Sequence, residues 1–374
     1  MAMRRSYRKI FGAIIFPAFL LFFPSQSFSQ EHPQSQLTEH EGSMEDPEHS
    51  GLEVDSHETG TEGEFNPGEF ILDHIKDSHE WHILTKKDGH HVSIPLPVIL
   101  FSKEQGLKFF MSSKLAHGHH YESFYLENGK IFEETAGGEH VQPLDFSITK
   151  TVAGMLVAAI IVLILFIRMG RIYRKEKLVV PTGLNGFLEP MILFIRDDVA
   201  RPNIGEAKFE RFMPYLLTVF FFILINNIMG LIPPVPPFGA NVTGNIAFTM
   251  TLSVFTFLIT QFSGSKDHWK HIVATPGVPV WLAPIMIPVE IIGLFSKPFA
   301  LMVRLFANIS AGHIIILSLV SLIFIFKSLL IAPVSIAFVI FMDSIEILVA
   351  FLQAYVFTLL SALFIGLAVR EHHH

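Results

Sequence analysis

Arg304 lies in the middle of an apolar run, Ser296–Leu319, that also carries Lys297, Asn308 and His313. A second apolar run further on holds Asp343, Glu346 and Gln353, and Glu290 precedes the first. A charge at the centre of a membrane helix costs about 2.5–3.5 kcal/mol on insertion scales, so such residues are kept for function or tightly paired. Their spacing is regular. Glu290, Lys297 and Arg304 follow one another at intervals of seven, with Asn308 four further on. At about 100° per residue these fall on one helical stripe. His313 lies nine residues past Arg304, about half a turn round and roughly 13 Å along. Glu346 and Gln353 are seven apart, with Asp343 three before Glu346.

The residue types suit proton or ion movement. A guanidinium keeps its proton under strong desolvation, where a buried lysine sheds it. A permanent positive charge at membrane depth repels passing cations and favours ionisation of a nearby carboxylate. His313 and Glu346 can relay protons. Asn308 and Gln353 can orient water, hold the arginine, or bond one helix to the other. Asp343 is expected at the mouth of such a path. Glu290 and Lys297, two turns apart, are expected toward its other side. The competing reading makes these residues interhelical pairs that only fix packing, with Arg304 reaching to the membrane surface.

The elements that must position them are membrane helices. The 374-residue chain is 50% hydrophobic, with 37 Phe and only 16% charged residues, which is too apolar for an ordinary soluble domain. Thr151–Met169, Phe212–Pro233 and Ile246–Phe262 are each near the length that crosses a bilayer. Trp281–Val369 reads as two long helices with a turn in Lys327–Ser335, marked by Pro333. They are too long to stand upright and are expected to tilt. The fold class expected is therefore an all-α polytopic membrane protein. It has about five membrane helices, the last two forming a tilted hairpin, and carries a small β-rich extramembrane module before them.

That preceding part divides by composition. Residues 1–29 have a basic start, an apolar stretch and small residues at Ser27 and Ser29, as a secretory signal peptide does, or an uncleaved anchor. Residues 30–66 are acidic and poor in apolar groups, and are expected to be disordered. Residues 67–146 carry strand-like runs, including a hairpin signal with Asn128-Gly129 at its turn. Residues 147–374 form the membrane domain. Five basic residues in Arg168–Lys177, and none in the turn before Ile246, place that first loop in the cytoplasm. The module then lies in the periplasm of a bacterial inner membrane, and the C-terminus in the cytoplasm.

The module is rich in histidine, with His79, His82, His90, His91, His117, His119 and His120 among them, and a periplasmic metal-handling role is one rival reading. No pair has metal-ligand spacing on a recognisable scaffold. A secondary transporter is the other rival. It predicts inverted repeats with paired broken helices, and no second copy of the arginine stripe occurs. There is no cysteine and no phosphate-binding glycine loop, so neither thiol chemistry nor ATP binding is expected of this chain.

The run "PVEIIGLFSKPFALMVRLFANISAGH", followed about thirty residues later by "IEILVAFLQAYVFTLL", resembles subunit a of the rotary F-type ATP synthase. "RFMPYLLTVFFFILINNIMGLIP" and "GANVTGNIAFTMTLSV" share the likeness, which covers about residues 147–369. The resemblance implies the stator of the membrane sector, working against a ring of c subunits through two offset half-channels. It implies peripheral-stalk b subunits, the rest of the complex and the bilayer as partners, and neither cofactor, metal nor nucleic acid. By resemblance Arg304 is the essential charge between the half-channels. His313, Glu346, Asn308 and Gln353 belong to one half-channel or the arginine's surroundings, and Glu290 and Lys297 to the cytoplasmic side. Some bacterial relatives carry an acid where this chain has His313 and a histidine where it has Glu346. That exchange implies that the two are neighbours. The coupling ion expected is H⁺ rather than Na⁺.

Overall fold

The computed structural model describes residues 76–85, 91–116, 119–127, 129–135, 137–175, 182–232, 239–273, 282–326 and 332–370. The expected signal peptide and acidic segment lie outside these, as do His90, His117, Asn128 and the Lys327–Ile331 turn.

Among the described residues, eight short strands precede the long helices. β1 (Glu80–Thr85) pairs with β2 (His91–Pro95). β3 (Pro97–Ser102) lies between β4 (Gly106–Met111) and β8 (Leu144–Asp145). β6 (Lys130–Glu134) lies between β5 (Phe124–Glu127) and β7 (His140–Val141). All pairings are antiparallel. Alternation along the strands buries Val98, Leu100 and Phe110 of one sheet against Phe124 and Ile131 of the other. The β5–β6 turn is the expected hairpin. Glu127 pairs with Lys130, and Gly129 has φ +77°, the left-handed backbone that a two-residue connection needs.

Among the described residues, five helices are long and apolar enough to cross a membrane. α1 is Lys150–Lys175. α2 (Leu184–Phe194) runs through a π-helical turn, Ile195–Ala200, into a last turn at Arg201–Ile204. α3 is Phe209–Leu231, α4 is Ile246–Ser263 and α5 is the short Lys266–Val273. α6 (Ala283–Phe326) has 44 residues and α7 (Ala332–Val369) has 38. At 1.5 Å per residue these are about 66 and 57 Å long, twice the roughly 30 Å hydrocarbon core and too long to stand upright within it. α2 and α5 were not among the helices expected from sequence. α2 is apolar but only 11 residues long before its π-helical turn, and α5 is short and polar, so neither stands out.

α7 packs along α3 and α6, α4 along α6, and α1 along α3. The core is centred on α3, where Leu216, Val219, Phe220 and Ile223 are fully buried, and reaches Leu252, Leu301, Leu305 and Phe357. Asn245 caps α4 by accepting from the Ala247 amide at 2.9 Å. The C-terminal end of α7 is held closely. A Cβ on Gly366 would stand 2.8 Å from the Asn203 carbonyl carbon and 3.3 Å from Ile204 Cα, so only glycine lets α7 meet the last turn of α2. Arg370 donates to the Asn203 carbonyl at 3.3 Å, Lys208 to the Val369 carbonyl at 3.0 Å, and the Ser265 amide to the Ala368 carbonyl at 2.8 Å.

The strands join the helices firmly. The first amides of α1 would otherwise be unsatisfied. Thr151 N donates to Asp77 Oδ1 at 3.0 Å and Lys150 N to the Ser78 carbonyl at 2.9 Å. Trp81 and Leu96 are buried in the same cluster as Met155 and Ala158 of α1. Beside this joint His79 Nε2 lies 2.8 Å from Asp145 Oδ2, and Asp145 Oδ1 accepts from the Ser147 amide at 2.8 Å. Burial pushes the Asp145 carboxyl up, but the bond and charge of His79, with the bonds from Ser147, outweigh it and hold the carboxyl below its usual range. A carboxylate with a lowered native pKa stabilises the fold above its unfolded value, near 3.8, and loses that contribution as pH falls through the native value. Protection of the Ser147 amide against hydrogen exchange is therefore expected to hold at neutral pH and to fall below about pH 4. Asp145→Asn should remove that acid dependence.

Candidate functional site

α6 and α7 run antiparallel, and three contacts give their register. Lys297 Nζ stands 5.8 Å from the Phe364 ring centre. Asn308 Nδ2 donates to Gln353 Oε1 at 2.9 Å. Gly312 faces Glu346, whose Cδ lies 2.8 Å from the position a Cβ on that glycine would take. This register sets Arg304 about level with Phe357.

Glu346 is 8% exposed and Gln353 4%, both turned into the bundle. Among the described residues no donor reaches the buried Glu346 Oε1. That oxygen packs against the bare Gly312. His313 follows Gly312 directly and is half-buried, as is Asp343, one turn before Glu346. Gly312, the chain neighbour of His313, is the residue that faces Glu346. Gly312 itself was not singled out from sequence. An isolated glycine inside a helical apolar run was the available signal.

Arg304 is placed differently from its neighbours. Leu301 and Leu305 are buried on the inner side of α6, whereas Arg304, about 40° round the helix from Asn308, is exposed. Among the described residues it makes no hydrogen bond or ion pair with this chain. Exposed apolar residues on the two helices include Phe299 (62% exposed) and Val303 on α6, and Ile347, Leu348 and Leu352 on α7. The two polar stripes therefore meet only in part. Asn308, which could have held the arginine, bonds Gln353 instead. A double-mutant cycle of Asn308→Leu and Gln353→Leu, read by detergent unfolding, is expected to give a coupling energy of about 0.6–1.7 kcal/mol, the range for interhelical polar pairs.

At the far end of the hairpin a cavity of about 220 Å³ opens between α4, α5, α6 and α7. Glu290 and Lys297 both line it, as the sequence reading grouped them, together with Gln261, Asp267, His268 and Arg370. His268 Nε2 lies 3.2 Å from Gln261 Oε1. Asp267 and His268 were not singled out from sequence.

Polar groups thus collect at two levels. Lys297 and its cavity lie seven residues, about 10 Å, to one side of Arg304, and Gly312 with Glu346 eight residues, about 12 Å, to the other. The unpartnered guanidinium stands between them on an open apolar face. Such an arrangement can hand ions to a group outside the chain at either level while opposing direct passage between levels. In the strand region, among the described residues, no three His, Asp or Glu side chains are grouped to hold a metal ion.

Residues 152–366 match the family model described as ATP synthase A chain, and residues 70–146 match a domain of unknown function, DUF8433. The chain is 52% identical over 236 residues to ATP synthase subunit a of Chloroherpeton thalassium, covering 62% of this chain and 69% of that one. It is 50% identical over 255 residues to ATP synthase subunit a 2 of Chlorobaculum tepidum, covering 65% and 70%. Over 237 residues it is 46% identical to ATP synthase subunit a of Myxococcus xanthus, covering 62% and 76%.

Proposed function

This chain belongs to the ATP synthase A chain family, the membrane-sector subunit a of F-type ATP synthases, and we propose that it is the proton-conducting stator of its complex. In this reading the outer face of α6 and α7 lies against a ring of c subunits. A ring carboxylate meets Arg304 in its ionised form. It takes a proton from one half-channel and gives it up to the other after the ring has turned. The observation that carries the proposal is Arg304 itself, exposed on an apolar membrane face with no counter-charge from this chain among the described residues. A guanidinium turned to lipid is costly, and a partner carboxylate at that depth removes the cost.

The half-channels follow from the two polar levels. Glu346, His313 and Asp343 form one, with Asn308 and Gln353 closing it toward Arg304. Glu290 and Lys297, with the cavity they share with Asp267 and His268, form the other. With Arg168–Lys177 cytoplasmic, the strand module is periplasmic, the Glu346 side opens to the periplasm and the Lys297 cavity to the cytoplasm. Residues 1–29 act as the signal peptide, 30–66 as an acidic leader, 67–146 as the module and 147–374 as the membrane domain. Peripheral-stalk b subunits hold the stator in place. The chain handles ions and leaves ATP chemistry to other subunits.

A His–Glu pair suits proton relay, so the coupling ion in this reading is H⁺. The test is ATP-driven acidification of vesicles bearing the intact complex in Na⁺-depleted buffer. Undiminished acidification is the expected result. Pumping that appears only when Na⁺ is restored overturns the proton assignment.

A further inference from the structure

The two sheets of the strand module present opposite outer faces. On the β5–β6–β7 side the outward residues are Tyr125, Glu127, Phe132, Glu134 and His140, with Tyr125 Oη bonded to His140 Nδ1 at 2.8 Å, a surface suited to water. The β4–β3–β8 side is apolar. Its register sets Phe101 beside Leu107 and Leu144, Ile99 beside Phe109, and Pro97 beside Met111. Leu107 is 70% exposed, Phe109 69%, and Leu144, Phe101 and Phe146 between 43 and 49%. A contiguous apolar face of this kind marks a contact rather than a solvated surface.

Its place in the chain indicates what it contacts. Phe146 N donates to the Ile99 carbonyl at 2.8 Å and Ile148 N to the Pro97 carbonyl at 3.0 Å, so β3 is bonded to the residues that lead into α1 at Lys150. Leu144 is only six residues before that helix. Farther along α1, Ile160, Ile164 and Ile167 are exposed on a surface that in a membrane faces lipid. The uncharged apolar stretch of α1, Val152–Ile167, begins two residues after Lys150. The apolar sheet face therefore adjoins the end of α1 at which that stretch begins.

We propose that the outer face of the β4–β3–β8 sheet is a lipid-contact surface that rests in the headgroup–acyl boundary at the N-terminal end of α1. Phe109, Leu107 and Phe146 are its principal contacts, and the aromatic and acidic face of the opposite sheet stays in water. The module then acts as a monotopic anchor that extends the apolar length of the first membrane helix. The inference rests on the membrane crossing of α1, and not on the proton path.

The chain contains no cysteine, so single-cysteine variants report one position each. Phe109→Cys, Leu107→Cys and Glu127→Cys are made in the full chain within the assembled complex and reconstituted in vesicles. Each is labelled with an environment-sensitive fluorophore, with the background taken from the cysteine-free parent. Labels at 109 and 107 are expected to emit to the blue of the label at 127. They should be quenched several-fold more by nitroxide-bearing lipid, and several-fold less by iodide. Iodide quenching at 109 and 107 equal to that at 127 overturns the proposal. Shielding of both from iodide and from nitroxide lipid also overturns it, by placing a polypeptide on the sheet. Both test positions are exposed, so either variant carries the result if the other fails to assemble.

Discussion

Arg304→Ala is expected to abolish ATP-driven proton pumping in inverted vesicles while leaving subunit a and the c ring in the membrane. The loss should be on the order of a hundredfold or more, which at 1.4 kcal/mol per decade corresponds to about 3 kcal/mol. The side chain is exposed and makes no bond within the chain among the described residues, so its removal leaves no buried group of this subunit unsatisfied. The effect should therefore fall on transport rather than on folding. Arg304→Lys is expected to restore little. Lysine keeps a charge but can give up its proton on desolvation, whereas the proposed role requires a charge that persists. Normal pumping by Arg304→Ala in membranes with intact assembly would sink the stator reading. At 100 mV each translocated charge releases about 2.3 kcal/mol, so a route past position 304 would dissipate the gradient in steps of that size. A proton leak without ATP in the alanine variant is the corresponding passive signature.

Gly312→Ala should have the next largest effect, by a different route. The new Cβ would stand 2.8 Å from Glu346 Cδ and collide with the Oε1 oxygen, the far end of a side chain that can rotate. The helix backbones need not separate, so the hairpin is expected to assemble. The carboxyl is expected to leave its buried position, which disconnects the relay through residue 346. A roughly tenfold loss of pumping is the expected outcome, equal to a misplacement costing about 1.4 kcal/mol. Gly312→Ala combined with Glu346→Asp, one methylene shorter, should recover part of it. A substitution that merely disordered the hairpin would show no such recovery, which can be read from pumping at equal subunit content.

The membrane helices were legible because lipid demands long apolar runs, and the polar residues of α6 and α7 stood out as costly exceptions within them. Orientation was less legible. α7 is apolar on all sides, so periodicity does not separate the face that packs on α3 from the face that looks outward. The spacing put Arg304 and Asn308 on one stripe but did not tell that Asn308 bonds Gln353 while Arg304 is exposed. α2 was missed for a related reason. Its apolar part is 11 residues and is followed by Arg196, Asp197 and Asp198, a pattern that reads as a loop until tertiary packing on α7 supports it. The cavity at Lys297 draws on α4, α5, α6 and α7, more than 100 residues apart from Thr256 to Arg370, and no local spacing announces such a cluster. The β5–β6 hairpin was visible because its turn chemistry is local.

The ties at the C-terminal end of α7 bear on mechanics. A stator works only if it resists the tangential push of its rotor. In α7 the glycine contact at residue 366 and the bonds from Lys208, Ser265 and Arg370 all gather at one tip. The helix is then a lever clamped at that tip. Displacement under load grows toward the connection with α6, on the Glu346 side of Arg304. In the proposed stator role, stiffness is expected to be greatest beside the Lys297 cavity and to decline along α7, so that the two polar levels would yield unequally to the same torque.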